Sequence, residues 1–178
     1  MKVKVGINGL GRIGRMVIRS IIENNYNIEI KQINNRTELE NISQLLKYDS
    51  IHGKFNTKIS FDNKNIIINN KKIPYSRETE ISKINWEKND VDIVLECTGK
   101  NNSKEKSFQH IKNGAKKVIV SAPCKNADKT IVYGVNQKLI NNKDLIISAA
   151  SCTTNCLAPI AMILNDEFKI EKGFMTTI

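Results

Sequence analysis

Val3-Lys4-Val5-Gly6-Ile7-Asn8-Gly9-Leu10-Gly11-Arg12-Ile13-Gly14 is the stretch that decides the fold. Val3 to Ile7 is a short β-branched run, the pattern of a buried strand. Three glycines follow at the spacing G-x-G-x-x-G. Behind them Ile13, Val17, Ile18, Ile21 and Ile22 fall on one face of a helical period. Asn24-Asn25 ends that helix. Ile28 to Ile33 alternates as a second strand and stops at Asn34-Asn35. Strand, turn, helix and strand together have the size of a βαβ crossover.

The same alternation continues outward. A helical pattern runs from Leu39 to Tyr48. Strand-like pieces at Lys58–Phe61, Ile66–Ile68 and Lys72–Tyr75, separated by Asn, Lys and Asp turns, suggest an antiparallel insertion. Val91 to Cys97 is a strongly apolar strand closed by Thr98-Gly99. Ser103 to Lys112 reads as a helix with Ser103 as its N-cap and Gly114 as its stop. Lys117–Ser121, Thr130–Tyr133 and Leu145–Ser148 are further strands. A helix is expected from about Cys156 to Phe168, and a last strand from Gly173 to Ile178. This order predicts an α/β fold, a Rossmann-type doubly wound parallel sheet with helices on both faces.

Composition excludes several classes. The 178 residues carry 28 Lys plus Arg against 18 Asp plus Glu, a net charge of +10. The apolar and charged fractions of 40% and 26% are those of a globular chain, not a disordered tail or fibre. Lys outnumbers Arg 23 to 5 and is scattered from Lys2 to Lys172, with 10 aromatic residues in all. A nucleic-acid binder gathers its cations on one stripe among aromatics. No specific nucleic-acid partner is therefore expected, only weak salt-dependent attraction to polyanions. No apolar run approaches the ~20 residues that span a bilayer. Met1 to Gly6 has no apolar segment of a signal peptide, so the expected location is the reducing cytoplasm. The four cysteines, Cys97, Cys124, Cys152 and Cys156, form no CxxC pair, and the histidines are only His52 and His110. No metal site is expected.

The glycine motif follows a strand and opens a helix, the context in which it binds a dinucleotide. Gly9, Gly11 and Gly14 allow the tight turn and the close approach of a pyrophosphate to the helix N-terminus. An acidic residue about 20 positions further on usually holds the adenosine ribose. Here that place is Asn34-Asn35, without a carboxylate. Asn35 still hydrogen-bonds a hydroxyl but does not repel a 2′-phosphate, and Arg36 beside it could pair with one. NAD is the expected cofactor, with NADP possible. The second informative stretch is Ala149-Ala150-Ser151-Cys152-Thr153-Thr154-Asn155-Cys156. A thiol at a helix start has its thiolate favoured by the dipole and by free N–H groups. Cys156, one turn deeper, is expected to pack.

These blocks carry a resemblance. Val5 to Arg15, Lys47 to Phe55, Gly114 to Pro123, Ala150 to Pro159 and Glu171 to Thr177 occur together. In that order and spacing they resemble the N-terminal half of the phosphorylating glyceraldehyde-3-phosphate dehydrogenases. The resemblance implies an NAD(P)-binding domain over residues 1–150 and the start of an α+β catalytic domain over 151–178. It implies oxidative phosphorylation of D-glyceraldehyde 3-phosphate to 1,3-bisphosphoglycerate, in a cytoplasmic homotetramer. Cys152 would be the catalytic nucleophile, passing through a thiohemiacetal and a thioester that inorganic phosphate releases. Ser151 and Thr153 match substrate or phosphate positions. Arg12 and Ile13 match pyrophosphate contacts. Asn34 and Asn35 match the ribose site and Arg77 an adenine-side contact, while Thr98, Gly99 and Ser121 line the cofactor groove.

Three departures qualify the resemblance. The family's Asn-Asp pair is Asn34-Asn35, and its Ser-Asn-Ala-Ser-Cys run has Ala149 for the Asn. Its general base is a His following a Thr-Thr-Ile or Thr-Thr-Val run, whereas here Ile178 is the last residue. The sequence thus reads as stopping just before the base. The 178-residue chain alone is expected to be nearly inactive, with an exposed apolar face on its last helix. Two alternatives stay open: the related erythrose-4-phosphate dehydrogenase, and a non-catalytic nucleotide-binding module.

Overall fold

The computed structural model describes residues 2–177, and the expectations that touch Met1 and Ile178 lie outside the described residues. The chain runs β1 (Val3–Asn8), α1 (Arg12–Glu23), β2 (Ile28–Asn34), α2 (Leu39–Lys47), β3 (Tyr48–Asp49) and β4 (Gly53–Lys54). It continues with β5 (Ile59–Phe61), β6 (Asn65–Ile68), β7 (Lys71–Ser76), β8 (Ile93–Glu96), α3 (Lys104–Lys112) and β9 (Lys117–Val120). It ends with β10 (Lys129–Thr130), β11 (Ile146–Ser148) and α4 (Cys152–Phe168). Nine strands form one sheet in the order β10-β11-β9-β8-β1-β2-β7-β6-β5. From β10 to β7 all neighbours are parallel.

The sheet reverses its winding at β1, which pairs with β2 on one side and β8 on the other. In open α/β sheets ligands bind at the C-terminal strand ends beside such a switch point. Side-chain alternation along β1 sorts the two faces. Ile7 packs with Ile18 of α1 and Ile42 and Leu46 of α2 in one core. A β-carbon on Gly6, pointing the other way, would lie 2.6 Å from the Trp86 ring. Trp86 anchors the second core with Val94, Val118 and Ile146. Helices therefore cover both faces, as the strand–helix alternation predicts.

Several elements differ from the sequence reading, each for a physical reason. Ile13 is 50% exposed on the first turn of α1, whose buried positions are Gly14, Ile18, Arg19 and Ile21. Arg19 takes a buried place on that helix instead. Its guanidinium donates to the carbonyls of Leu46 and Gly53 and stacks on Phe55. The β5–β7 segment is antiparallel within itself but not a separate insertion. Ile33 and Asn34 of β2 pair in parallel with Tyr75 and Ser76 of β7, so it extends the main sheet. The strand expected over Thr130–Tyr133 is only Lys129–Thr130. Beyond it Asn136 turns the chain, accepting from the Val132 N–H.

The last helix starts at Cys152, not at Cys156, because Ser151 caps it by accepting the Thr154 N–H at 3.0 Å. That cap offsets the poor helix propensity of Thr153, Thr154 and Asn155. Cys156 is exposed rather than packed, and α4 buries none of its residues. Gly173–Thr177 forms no strand. A strand needs a hydrogen-bonding neighbour, and among the described residues none lies beside this segment.

Candidate functional site

The turn between β1 and α1 is built around two steric facts. Gly9 has φ +94°, where a β-carbon would meet the Thr98 backbone N at 2.9 Å. Gly14 sits so close beneath the turn that a β-carbon would lie 2.1 Å from the Gly9 carbonyl oxygen. Gly11, by contrast, has nothing within 4 Å of such a carbon. It is the N-cap of α1 and offers no side-chain cap, and the first turn holds no acidic residue. The leading N–H groups of α1 are thus left for an external acceptor beside an open backbone. This is a cradle that fits a pyrophosphate.

A groove of about 300 Å³ opens there, lined by Gly9, Gly11, Asn34, Asn35, Arg36 and Thr98 among others. Asn35 faces it with its carboxamide already engaged. Oδ1 accepts the Leu10 N–H at 3.0 Å, and Nδ2 donates to the Tyr75 hydroxyl at 3.3 Å. Asn34 turns inward. It donates to Asn8 Oδ1 and the Glu78 carbonyl, and accepts from Ser76 Oγ and the Glu78 N–H. It shapes the groove floor with no free valence for a ligand. Arg77 lies at the outer edge, paired with Glu38 and donating to the Arg36 carbonyl. Gly99 and Ser121 are not among the residues that line the groove. Arg12 and Ile13 are exposed on the first turn of α1 and do not line the groove.

Sequence reasoning passed over Asn8, which lines the groove, and Glu96, which is buried behind it and bonded to Thr98. Glu96 is 1% exposed, and Asn8 donates to it at 2.7 Å. The signal was a carboxylate, Glu96, deep in the otherwise apolar run Ile93–Cys97.

Ser151, Cys152 and Thr153 lie outside this groove, after β11. Ala150 reaches φ +60°, a left-handed conformation that strains a residue with a β-carbon. Its N–H donates to Ser148 Oγ, and Asn155 Nδ2 clamps the Ala149 and Ser151 carbonyls at 2.8 Å. That strained corner turns the chain sharply and presents Cys152, exposed, as the first residue of α4. The Ser151 hydroxyl lies within 2.9 Å of Thr153 Oγ1 and 2.6 Å of Thr154 Oγ1. The other end of the chemistry scale is Cys97, whose thiol burial pushes up to about 11. Desolvation raises the Cys124 thiol as well.

A sequence profile of the glyceraldehyde 3-phosphate dehydrogenase NAD-binding domain matches residues 3–104, more than half of the chain. The chain belongs to the glyceraldehyde-3-phosphate dehydrogenase family. The profile of that family's C-terminal domain matches residues 151–178. Glyceraldehyde-3-phosphate dehydrogenase 1 of Bacillus subtilis (strain 168) is 48% identical over 180 residues, covering 100% of this chain and 53% of its own length. The glyceraldehyde-3-phosphate dehydrogenase of Geobacillus stearothermophilus is 47% identical, with coverages of 100% and 53%. That of Bacteroides fragilis (strain YCH46) is 48% identical, with coverages of 99% and 53%. The chain spans about half the length of these curated relatives. An NAD(P)-binding domain of this family accounts for the glycine cradle. The erythrose-4-phosphate enzyme and the non-catalytic module gain nothing from these likenesses. No helix among the described residues is long and apolar enough to cross a membrane.

Proposed function

We propose that the chain supplies the cofactor groove and the nucleophile of an NAD(P)-dependent phosphorylating aldehyde dehydrogenase. Its substrates would be D-glyceraldehyde 3-phosphate and inorganic phosphate, and its product 1,3-bisphosphoglycerate. The observation that carries this reading is the pair of features at the C-terminal strand ends of one sheet. An uncapped glycine cradle follows β1, and an exposed cysteine opens a helix after β11. Gly9, Gly11 and the first turn of α1 would hold the pyrophosphate, Asn35 the adenosine ribose, and Thr98 and Gly99 the inner half of the cofactor. When bound, the nicotinamide accepts hydride from the substrate.

Cys152 attacks the aldehyde through its sulfur, and the α4 N-terminus stabilises the negative charge that develops on oxygen. Ser151 and Thr153 offer hydroxyls to a phosphate group. Neither His52 nor His110 serves as base. His52 bonds Asp49 in the β3–β4 hairpin, and His110 is enclosed between Glu96 and Trp86. A base brought by other residues would add about 10²–10⁴-fold. The domain boundary near residue 150 belongs to the same reading, supported by the strained corner at Ala150. So does a cytoplasmic homotetramer, with the apolar face of α4 left for further protein to cover.

Alkylation tests the nucleophile. Limiting iodoacetamide should modify Cys152 first and Cys97 last, as read by peptide mass. D-glyceraldehyde 3-phosphate should protect Cys152 by adding to the thiol, and D-erythrose 4-phosphate should protect less. Equal protection by unphosphorylated D-glyceraldehyde would sink the phosphate-bearing substrate.

NADP use follows from Asn35 and Arg36. Asn35 faces the ribose position without charge, and Arg36 lines the groove beside it. The chain should bind NADP within roughly tenfold of NAD. Asn35→Asp should weaken NADP by at least about tenfold and leave NAD nearly unchanged, since one like charge facing a phosphate costs over ~1 kcal/mol. Calorimetric titration measures both. Rejection of NADP by the native chain would refute the tolerance.

A further inference from the structure

We propose that Glu96 is the positioning residue of the cofactor groove, one buried carboxylate that terminates two hydrogen-bond relays and so fixes the groove floor. The inference rests on the cofactor reading above.

The first relay comes from inside the protein. Trp86 Nε1–H donates to His110 Nδ1 at 3.0 Å, which places the imidazole proton on Nε2. That nitrogen donates to Glu96 Oε2 at 2.9 Å. Trp86, His110 and Glu96 are 0%, 0% and 1% exposed. The second relay crosses the C-terminal strand ends. Ser76 Oγ and the Glu78 N–H donate to Asn34 Oδ1. Asn34 Nδ2 donates to Asn8 Oδ1 at 2.8 Å, and Asn8 Nδ2 donates to Glu96 Oε2 at 2.7 Å. Thr98 adds its backbone N–H and hydroxyl to Oε1, and Asn101 adds Nδ2 to Oε2. Both relays run toward the one carboxylate, with Asn34 Nδ2 spending its second N–H on the Glu78 carbonyl.

Only an ionised, acceptor-only group closes such an arrangement. A glutamine in its place offers one oxygen and one NH₂. The NH₂ then faces Asn8, Asn101 and His110 donors, or the two Thr98 donors. Asn8 resolves the conflict only by turning its NH₂ onto that of Asn34. His110 resolves it only by moving its proton to Nδ1, against the Trp86 indole. With the NH₂ on the first side the mismatch travels to both ends, into the groove floor at Asn34 and into the core at Trp86; on the second side it falls on Thr98 in the groove itself. Of these residues Asn8, Asn34, Thr98 and Asn101 line the groove, while His110 and Trp86 do not touch it.

The test uses the 178-residue chain. Calorimetry gives its NAD affinity, and the indole N–H resonance of Trp86, the only tryptophan, reports the inner relay without any ligand. Glu96→Gln should weaken NAD by roughly tenfold or more, the cost of buried donors left unpaired, and should shift the indole resonance. Glu96→Asp, which keeps the charge, should restore part of both. Should the glutamine variant fail to fold, His110 substitutions carry the question. His110→Leu removes a donor to Glu96 and should weaken NAD several-fold, while His110→Gln, which keeps an N–H donor, should bind within about twofold of native. Native binding of NAD with no loss in Glu96→Gln, or in His110→Leu, overturns the positioning role. So does equal loss in Glu96→Gln and Glu96→Asp, which assigns the effect to shape and not charge. Absence of NAD binding by the native chain overturns the cofactor reading itself, and the positioning role with it.

Discussion

Gly14→Ala is expected to abolish cofactor binding and to cost the fold about 3 kcal/mol, the upper range for forced overpacking. The new β-carbon would sit 2.1 Å from the Gly9 carbonyl oxygen and 3.1 Å from its carbon. Neither is the far end of a flexible side chain. Both belong to the backbone of a turn that Asn34 and Thr98 already hold, since the Gly9 N–H donates to the Asn34 carbonyl. Helix α1 must therefore retreat from the turn by about an ångström, and its free N–H groups leave the cradle with it. Gly11→Ala makes the contrast. Its β-carbon meets nothing within 4 Å, and φ is −67°. Alanine there should leave stability unchanged or raise it by up to about 1 kcal/mol through the unfolded state. It should still weaken NAD, because the methyl projects where a pyrophosphate must approach. Urea midpoints and NAD titrations on the two variants separate fold from site. A Gly14→Ala chain that melts like the native one would show that α1 packs more loosely than this geometry requires.

These glycines were legible because their constraints are local. The strand, the G-x-G-x-x-G turn and the helix lie within about twenty residues. So do the Ser103 cap, where Oγ accepts the Lys106 N–H, and the Gly114 stop with φ +101°. The spacing from that turn also places Asn35 in the groove, whereas Thr98, far along the chain, is reached only through the family resemblance. What escaped the sequence is what distance in sequence hides. Asn8 and Glu96 are 88 residues apart, and Trp86 reaches His110 across 24. No spacing rule joins them. Nothing in the helical run Ser103–Lys112 marks His110 as wholly buried, which it is. The last helix, expected from about Cys156, starts a turn earlier at Cys152 because Ser151 caps it. Periodicity does not show that two chain carbonyls await the Arg19 guanidinium. The Gly173–Thr177 segment has strand composition, but composition supplies no partner.

Acid should unfold the chain through Glu96. Burial by itself pushes this carboxyl up, but hydrogen bonds from His110, Thr98 and Asn101 outweigh it and hold the group at about 2, against 4.5 for an ordinary glutamate. Above pH 4.5 the carboxylate is ionised in both folded and unfolded chains, and its stabilisation is fully present. Below that, the unfolded chain takes up a proton and the folded one does not. Stability is lost progressively as pH falls from about 4.5 to about 2, by about 3 kcal/mol in all. Asp49 and Asp62 add the same sign. Each is lowered by backbone N–H groups, those of His52 and Ile51 for Asp49 and chiefly that of Lys64 for Asp62. Both lie in surface hairpins, nearer to solvent than Glu96, and contribute less. Trp86 lies one hydrogen-bonded step behind His110, so its emission follows the transition. Urea midpoints should fall steeply between pH 5 and 3 in the native chain. In Glu96→Gln, which starts less stable, that slope should flatten, because the group whose proton uptake drives it is gone. Equal slopes in the two chains would assign the acid sensitivity to other carboxylates and leave Glu96 paired too weakly to hold its charge in the core.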